Sequence, residues 1–80
     1  MTMQELEVRF MALSGSFTCI RTERFTSSAA ALAAVTTHAA SGGYTNVQTT
    51  DDGDPYDGWR YTAKSPGGRA GRNVAFGDWV

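Results

Sequence analysis

The alanine-rich segment from residue 29 to residue 40 constrains the fold of this chain more than any other feature. It contains seven alanines and neither glycine nor proline, so we predict a helix there. Thr26 or Ser27 is suited to cap its N-terminus, because a hydroxyl at that position accepts a free backbone N–H. Gly42 or Gly43 is expected to end it, since glycine readily adopts the left-handed conformation that follows many helices.

The predicted helix has a narrow apolar side. Leu32, Val35 and Ala39 fall at positions i, i+3 and i+7, which places them on one stripe. We expect this stripe to face a sheet, with Leu32 as its largest buried side chain. His38 lies near the C-terminal end of the helix and is expected to be exposed, where a partly charged imidazole suits the helix dipole.

Alternation of apolar residues predicts strands on both sides of the helix. The clearest pattern covers residues 5–12, where every second residue is apolar: Leu6, Val8, Phe10 and Ala12. Four further strands are predicted at residues 17–22, 44–50, 59–64 and 73–80. The order is therefore β-β-α-β-β-β, an α+β fold in which one helix packs on one face of an antiparallel sheet of four to five strands. We expect residues 1–80 to form a single domain.

Several large or small apolar residues of the strands are expected to fill the core. Trp59 and Tyr61 should point inward from the fourth strand, and Val74 and Phe76 from the fifth. Cys19 is expected to be a small buried residue of the second strand. The register of that second strand stays open, because both of its sides carry an apolar residue.

The bulk composition excludes several classes of protein. A single cysteine among 80 residues rules out an internal disulfide scaffold. The net charge is −1, so no overall field attracts nucleic acid or anionic lipid. Neither a signal peptide nor an apolar stretch long enough to span a membrane is recognisable. We therefore expect a cytoplasmic protein with no membrane partner.

Catalytic and metal-binding residue sets are missing from the sequence. His38 is the one histidine. A nucleophilic site needs a nucleophile, a base and a third group that orients the base, and the sequence supplies no such third group for Cys19 and His38. One Cys and one His fall short of the four ligands of a structural zinc site. The aspartates after residue 50 lack the spacing and terminal glutamate of a calcium-binding EF-hand loop. We predict that the protein is not an enzyme and uses no cofactor, metal or small-molecule substrate.

The segment from Asp51 to Asp57 is the first candidate for a partner-binding site. It holds four of the chain's eight acidic residues and no basic one. Tyr56 lies among them, and tyrosine is enriched at the energetic centres of interfaces. We therefore predict that an acidic, aromatic loop contacts a basic surface of a partner through Asp51, Asp52, Asp54, Tyr56 and Asp57.

A basic surface is the alternative. Ser65 to Arg72 is a glycine-rich loop that lacks the Gly-Lys-Ser/Thr ending of a phosphate-binding loop. Its two arginines, Arg69 and Arg72, together with Arg60 and Lys64 of the fourth strand, could meet an acidic protein patch or a nucleic-acid backbone. A free-standing nucleic-acid binder normally carries excess positive charge, so direct nucleic-acid binding is the second hypothesis here.

In layout the chain resembles the small anti-CRISPR proteins of phages and other mobile elements. A hairpin leads into a short alanine-rich helix at Phe25-Thr26-Ser27-Ser28-Ala29-Ala30, a charged glycine-rich hairpin follows, and residues 74–80 form an aromatic last strand. The resemblance implies a non-enzymatic inhibitor that binds Cas subunits of a type I surveillance complex, Cascade, and blocks target DNA. It leaves open the subtype, DNA mimicry or allosteric block, and whether the protein dimerises.

Overall fold

The computed structural model describes residues 5–51, 59–67 and 71–79. Within these ranges five strands form one antiparallel sheet of order β2-β1-β5-β4-β3, and one helix packs on it. The predicted α+β fold and its β-β-α-β-β-β order are therefore confirmed. In chain order the elements are β1 Leu6–Met11, β2 Cys19–Phe25, α1 Ser28–Ser41, β3 Thr45–Asp51, β4 Trp59–Lys64 and β5 Gly71–Trp79.

Helix α1 begins and ends at the signals that the sequence carries. The hydroxyl oxygen of Ser27 accepts a hydrogen bond from the backbone N–H of Ala30 at 3.2 Å, which makes it the N-cap. At the other end the N–H of Gly42 donates to the carbonyl of Ala39 at 3.1 Å. Gly43 then takes a φ of 80°, the left-handed conformation expected of a glycine at this position.

The buried side of α1 consists of small residues. Ala31, Val35 and Ala39 are fully buried against the sheet, and their short side chains let the helix lie close to it. Leu32, in contrast, is 39% exposed, so its predicted place in the core is wrong. The buried stripe follows i, i+4 and i+8 from Ala31, and a leucine at its centre would hold the helix away from the strands. The sheet supplies the other side of this core with Leu6, Val8, Phe10, Tyr61, Ala63, Val74 and Ala75.

His38 is half-buried, contrary to the expectation of an exposed helix residue. Its Nε2 lies 2.8 Å from the carbonyl oxygen of Met11. The imidazole also meets the Phe10 ring edge-on, with 5.2 Å between the ring centroids. Both contacts arise because residue 38 lies on the same side of α1 as Ala34, which faces the core.

A bulge in β5 changes which of its residues face the core. Tyr61 of β4 lies opposite Ala75, but the next residue, Thr62, lies opposite Asn73, so Val74 is the extra residue. Val74 and Ala75 are both fully buried, and Phe76 consequently points to the other face of the sheet. The prediction that Phe76 faces the core is therefore wrong, because strict alternation does not hold across a bulge.

Strand β2 forms one edge of the sheet and lies two residues later than predicted at its start. It pairs with β1 in the described chain, with Phe10 opposite Arg21 and Arg9 opposite Thr22. All its residues before Phe25 are exposed. Cys19 is thus an exposed free cysteine rather than a core residue. No helix in the described ranges is long and apolar enough to cross a membrane.

Candidate partner-binding surface

The sheet face opposite α1, the open face, carries a central row of three side chains. Arg9 of β1 lies opposite Phe76 of β5, and Phe76 lies opposite Arg60 of β4. Opposed residues of antiparallel strands point to the same face. An aromatic ring in the middle strand is therefore placed between two arginines, in a part of the sheet that no described helix or strand covers.

Ion pairs and ring contacts hold the central row in place. The guanidinium of Arg9 donates to Oδ2 of Asp78 at 3.0 Å, and its Cζ lies 5.9 Å from the centroid of the Phe76 ring. Half of the Arg9 side chain remains exposed. Beside this pair, Arg24 contacts Glu7 at 3.3 Å across β1 and β2. Exposed pairs of this kind contribute little stability, so a partner can compete for these groups at low cost.

A shallow groove runs beside the central row. It has a volume of about 230 Å³ and is lined by Arg9, Met11, Cys19 and Phe76. Phe17, from the turn between β1 and β2, meets the Phe76 ring edge-on, with 6.0 Å between the ring centroids. Its side chain is 50% exposed. Phenylalanine and arginine are both enriched at protein interfaces relative to the rest of the protein surface.

Arg72, a predicted contact residue, supports the turn between β1 and β2. Its guanidinium donates to the carbonyl of Ala12 at 3.0 Å and reaches that of Gly15 at 3.5 Å. Its Cζ lies 5.6 Å from the centroid of the Phe17 ring. Its Nε is buried and has no hydrogen-bond partner among the described residues. Arg72 therefore shapes the rim of the open face by positioning Phe17.

Among the described residues, basic side chains outnumber acidic ones on the open face. The pairing and alternation of the strands place four described basic side chains and two acidic ones there, a difference of +2, whereas the whole chain carries −1. These six residues are Arg9, Arg24, Arg60, Lys64, Glu7 and Asp78. The face therefore suits a partner with acidic or phosphate groups.

The other predicted contact residues divide into two groups. Arg60 belongs to the central row and is half-buried. Asp51 is the last residue of β3. The predictions for Asp52, Asp54, Tyr56, Asp57 and Arg69 lie outside the described residues. The structure thus brings Arg60 together with two residues that the sequence did not indicate as contact residues, Arg9 and Phe76.

The missed residues left unequal signals in the sequence. Arg9 alternates with Val8 and Phe10, so its outward direction follows from the pattern of β1. Phe76 gave no such signal, because its direction depends on the bulge at Val74. In the described ranges no group of three or more His, Cys, Asp or Glu residues is arranged to hold a metal ion. Comparisons with protein families, with curated proteins and with solved structures find no match.

Proposed function

We propose that this protein is a non-catalytic binding protein that acts through the open face of its sheet. The observation that carries the proposal is the central row, in which Phe76 lies between Arg9 and Arg60 on a face that no described helix or strand covers. A groove and the exposed Phe17 ring adjoin it. This combination provides an aromatic anchor with charged groups around it, which is how compact interfaces concentrate their binding energy.

As partner we propose the Cas subunits of a type I Cascade, with inhibition of target DNA binding as the result. The support is the layout that the chain shares with small anti-CRISPR proteins, one alanine-rich helix in a small sheet domain. The open face adds a reason of its own, because its local positive charge would meet an acidic patch of a protein subunit. The segment of residues 51–57, with its four aspartates, would serve as a second contact, directed at a basic, DNA-holding surface.

The test measures binding of the purified protein to purified Cascade and the ability of Cascade to capture target DNA. Arg9→Gln combined with Arg60→Gln should weaken binding at least tenfold, which corresponds to about 1.4 kcal/mol. Ala33→Gln with Ala40→Gln is the matched control, because both alanines are exposed on the helix. Absence of binding by the unaltered protein would refute the proposed partner. Loss of binding in the helix control alone would refute the proposed face.

Single-stranded nucleic acid is the second candidate, and the same row favours it. Sheet domains that bind single strands stack bases on aromatic side chains of an open face and hold the phosphates with arginines. Fluorescence anisotropy with labelled oligonucleotides of mixed sequence tests this idea. Binding that weakens steeply with salt and is lost on Phe76→Leu supports it. No binding at low salt excludes it, and the overall charge of −1 makes it the second choice.

A further inference from the structure

The edge strand β2 offers a pairing surface that no other described strand occupies. Its residues from Cys19 to Arg24 are all exposed, and in the described chain it pairs on one side, with β1. An edge strand presents unpaired backbone N–H and C=O groups, and proteins usually protect such edges by proline, by bulges or by charge. In β2 charge is the main protection, through Arg21, Glu23 and Arg24. Charges exclude a partner strand only if that strand places like charges opposite them.

The charges of β2 are complementary to β2 itself. Thr22 has Arg21 before it and Glu23 after it. In an antiparallel pair of identical strands related by a twofold axis, one residue lies opposite its own copy. If that residue is Thr22, Arg21 of each chain lies opposite Glu23 of the other, and the ion pair forms twice. We propose that the protein forms a homodimer in which two β2 strands pair antiparallel around Thr22, joining both sheets into one.

Neighbouring registers lack this complementarity. An axis at Glu23 or at Arg21 sets that residue against its own copy, and like charges directly opposite each other are destabilising. An axis at Arg24 has the same defect. The register centred on Thr22 is therefore selected by charge. It also places Ile20, which is 61% exposed, opposite Arg24 of the second copy, whose aliphatic stem can cover the isoleucine.

The conformation of β2 already suits this pairing. Arg21 and Glu23 contact each other at 3.6 Å within one chain, so both side chains point to the same face. Their side chains are 52% and 47% exposed, and each keeps hydrogen-bonding atoms for a second partner. The Cζ of Arg21 lies 4.3 Å from the centroid of the Phe10 ring, which fixes the arginine before any partner binds. The entropic cost of ordering it in a dimer is therefore reduced.

The charge pairing is tested by sedimentation equilibrium over a range of protein concentrations. We expect the unaltered protein to dimerise. Arg21→Glu sets carboxylates opposite each other at both positions and should raise the dimer dissociation constant at least tenfold. That tenfold rise corresponds to about 1.4 kcal/mol. The exchange Arg21→Glu with Glu23→Arg sets opposite charges against each other again. It should therefore return the dissociation constant to within about threefold of its value in the unaltered protein. Circular dichroism verifies that each variant is folded.

The register is tested separately by disulfide formation. Opposed residues of antiparallel strands have Cα atoms about 4.5 to 5.5 Å apart, which lies within the range that a disulfide spans. Thr22→Cys in a Cys19→Ser background should therefore crosslink two chains on mild oxidation. Glu23→Cys in the same background is the control and should not crosslink. In this register residue 23 lies opposite residue 21 of the second chain, so the two cysteines are two residues apart along the paired strands. A protein that stays monomeric at every concentration, or a charge exchange that restores nothing, overturns the proposal. Crosslinking at residue 23 instead of residue 22 overturns the register.

Discussion

Nε2 of His38 lies 2.8 Å from the carbonyl oxygen of Met11, and this contact ties the last turn of α1 to the end of β1. The pairing of β1 with β2 is irregular here, because its register shifts between Phe10 and Met11. The carbonyl of a strand end that leaves the regular ladder needs another partner. The imidazole supplies it while its ring packs on Phe10. His38, which the sequence predicts to be exposed, thus joins the helix to the sheet.

The first prediction concerns this contact. His38→Ala should lower the free energy of unfolding by about 1 to 3 kcal/mol, because it leaves a half-buried carbonyl without its partner. In a domain of this size, each kcal/mol of lost stability lowers Tm by roughly 4 to 8 °C. Thermal unfolding followed by circular dichroism measures it. Ala40→Gln, at an exposed position two residues later, is the control and should leave Tm nearly unchanged. Equal Tm values for both variants would show that the contact is not stabilising.

The second prediction compares two residues of α1. Val35 is fully buried and Leu32 is 39% exposed. Val35→Ala should therefore cost about 2 kcal/mol, through lost apolar burial and the space it leaves. Leu32→Ala should cost less than about 1 kcal/mol, as expected of a surface position. Urea unfolding of the two variants gives both values. The reverse order would restore the helix orientation predicted from the sequence, with Leu32 in the core.

These residues also show how far local sequence patterns determine this fold. The helix, its Ser27 cap and strands β1 and β4 follow from propensity and alternation, which act within a few residues. The orientation of α1 does not, because the stripes that start at Leu32 and at Ala31 both contain Val35 and Ala39. The choice between them depends on how closely the helix approaches the sheet, which only the assembled fold decides.

The candidate site depends even more on long-range structure. Arg9, Phe76 and Arg60 come from three different strands and meet through the pairing of β1, β5 and β4. Phe76 joins them because of the bulge at Val74. The residues next to Val74 in the sequence carry no signal that predicts this bulge. The bounds of β2, Cys19–Phe25, differ from the predicted residues 17–22 for a related reason. An exposed edge strand has no buried side to impose alternation, so its sequence leaves its bounds and register open.

The third prediction concerns the end of α1. Gly43 has a φ of 80°, and a Cβ atom built there would lie 3.2 Å from Cγ of Pro66. Gly43→Ala should therefore cost about 1 to 2 kcal/mol, since residues with a side chain resist this conformation. Gly71→Ala is the matched control, because a Cβ there meets nothing within 4 Å. Thermal unfolding should separate the two variants. A Gly43→Ala protein as stable as the control would contradict the left-handed helix end.

The last prediction separates support of the turn from contact with a partner at Arg72. Its guanidinium donates to the carbonyls of Ala12 and Gly15 and lies over the Phe17 ring. Arg72→Ala should lower the free energy of unfolding by about 1.5 to 3 kcal/mol, the range for hydrogen bonds made by charged groups. Arg24→Ala is the control, because Arg24 is held by an exposed ion pair to Glu7 and should cost at most about 1 kcal/mol. Urea unfolding gives both values, and hydrogen exchange should be faster at residues 12–18 in the Arg72 variant alone.

Partner binding by the Arg72→Ala and Phe17→Ala variants separates the two roles of Arg72. If Arg72 acts through the turn, Phe17→Ala should also weaken partner binding. The double variant should then lose less binding free energy than the sum of the two single losses. Independent, additive losses would instead assign Arg72 a direct contact with the partner.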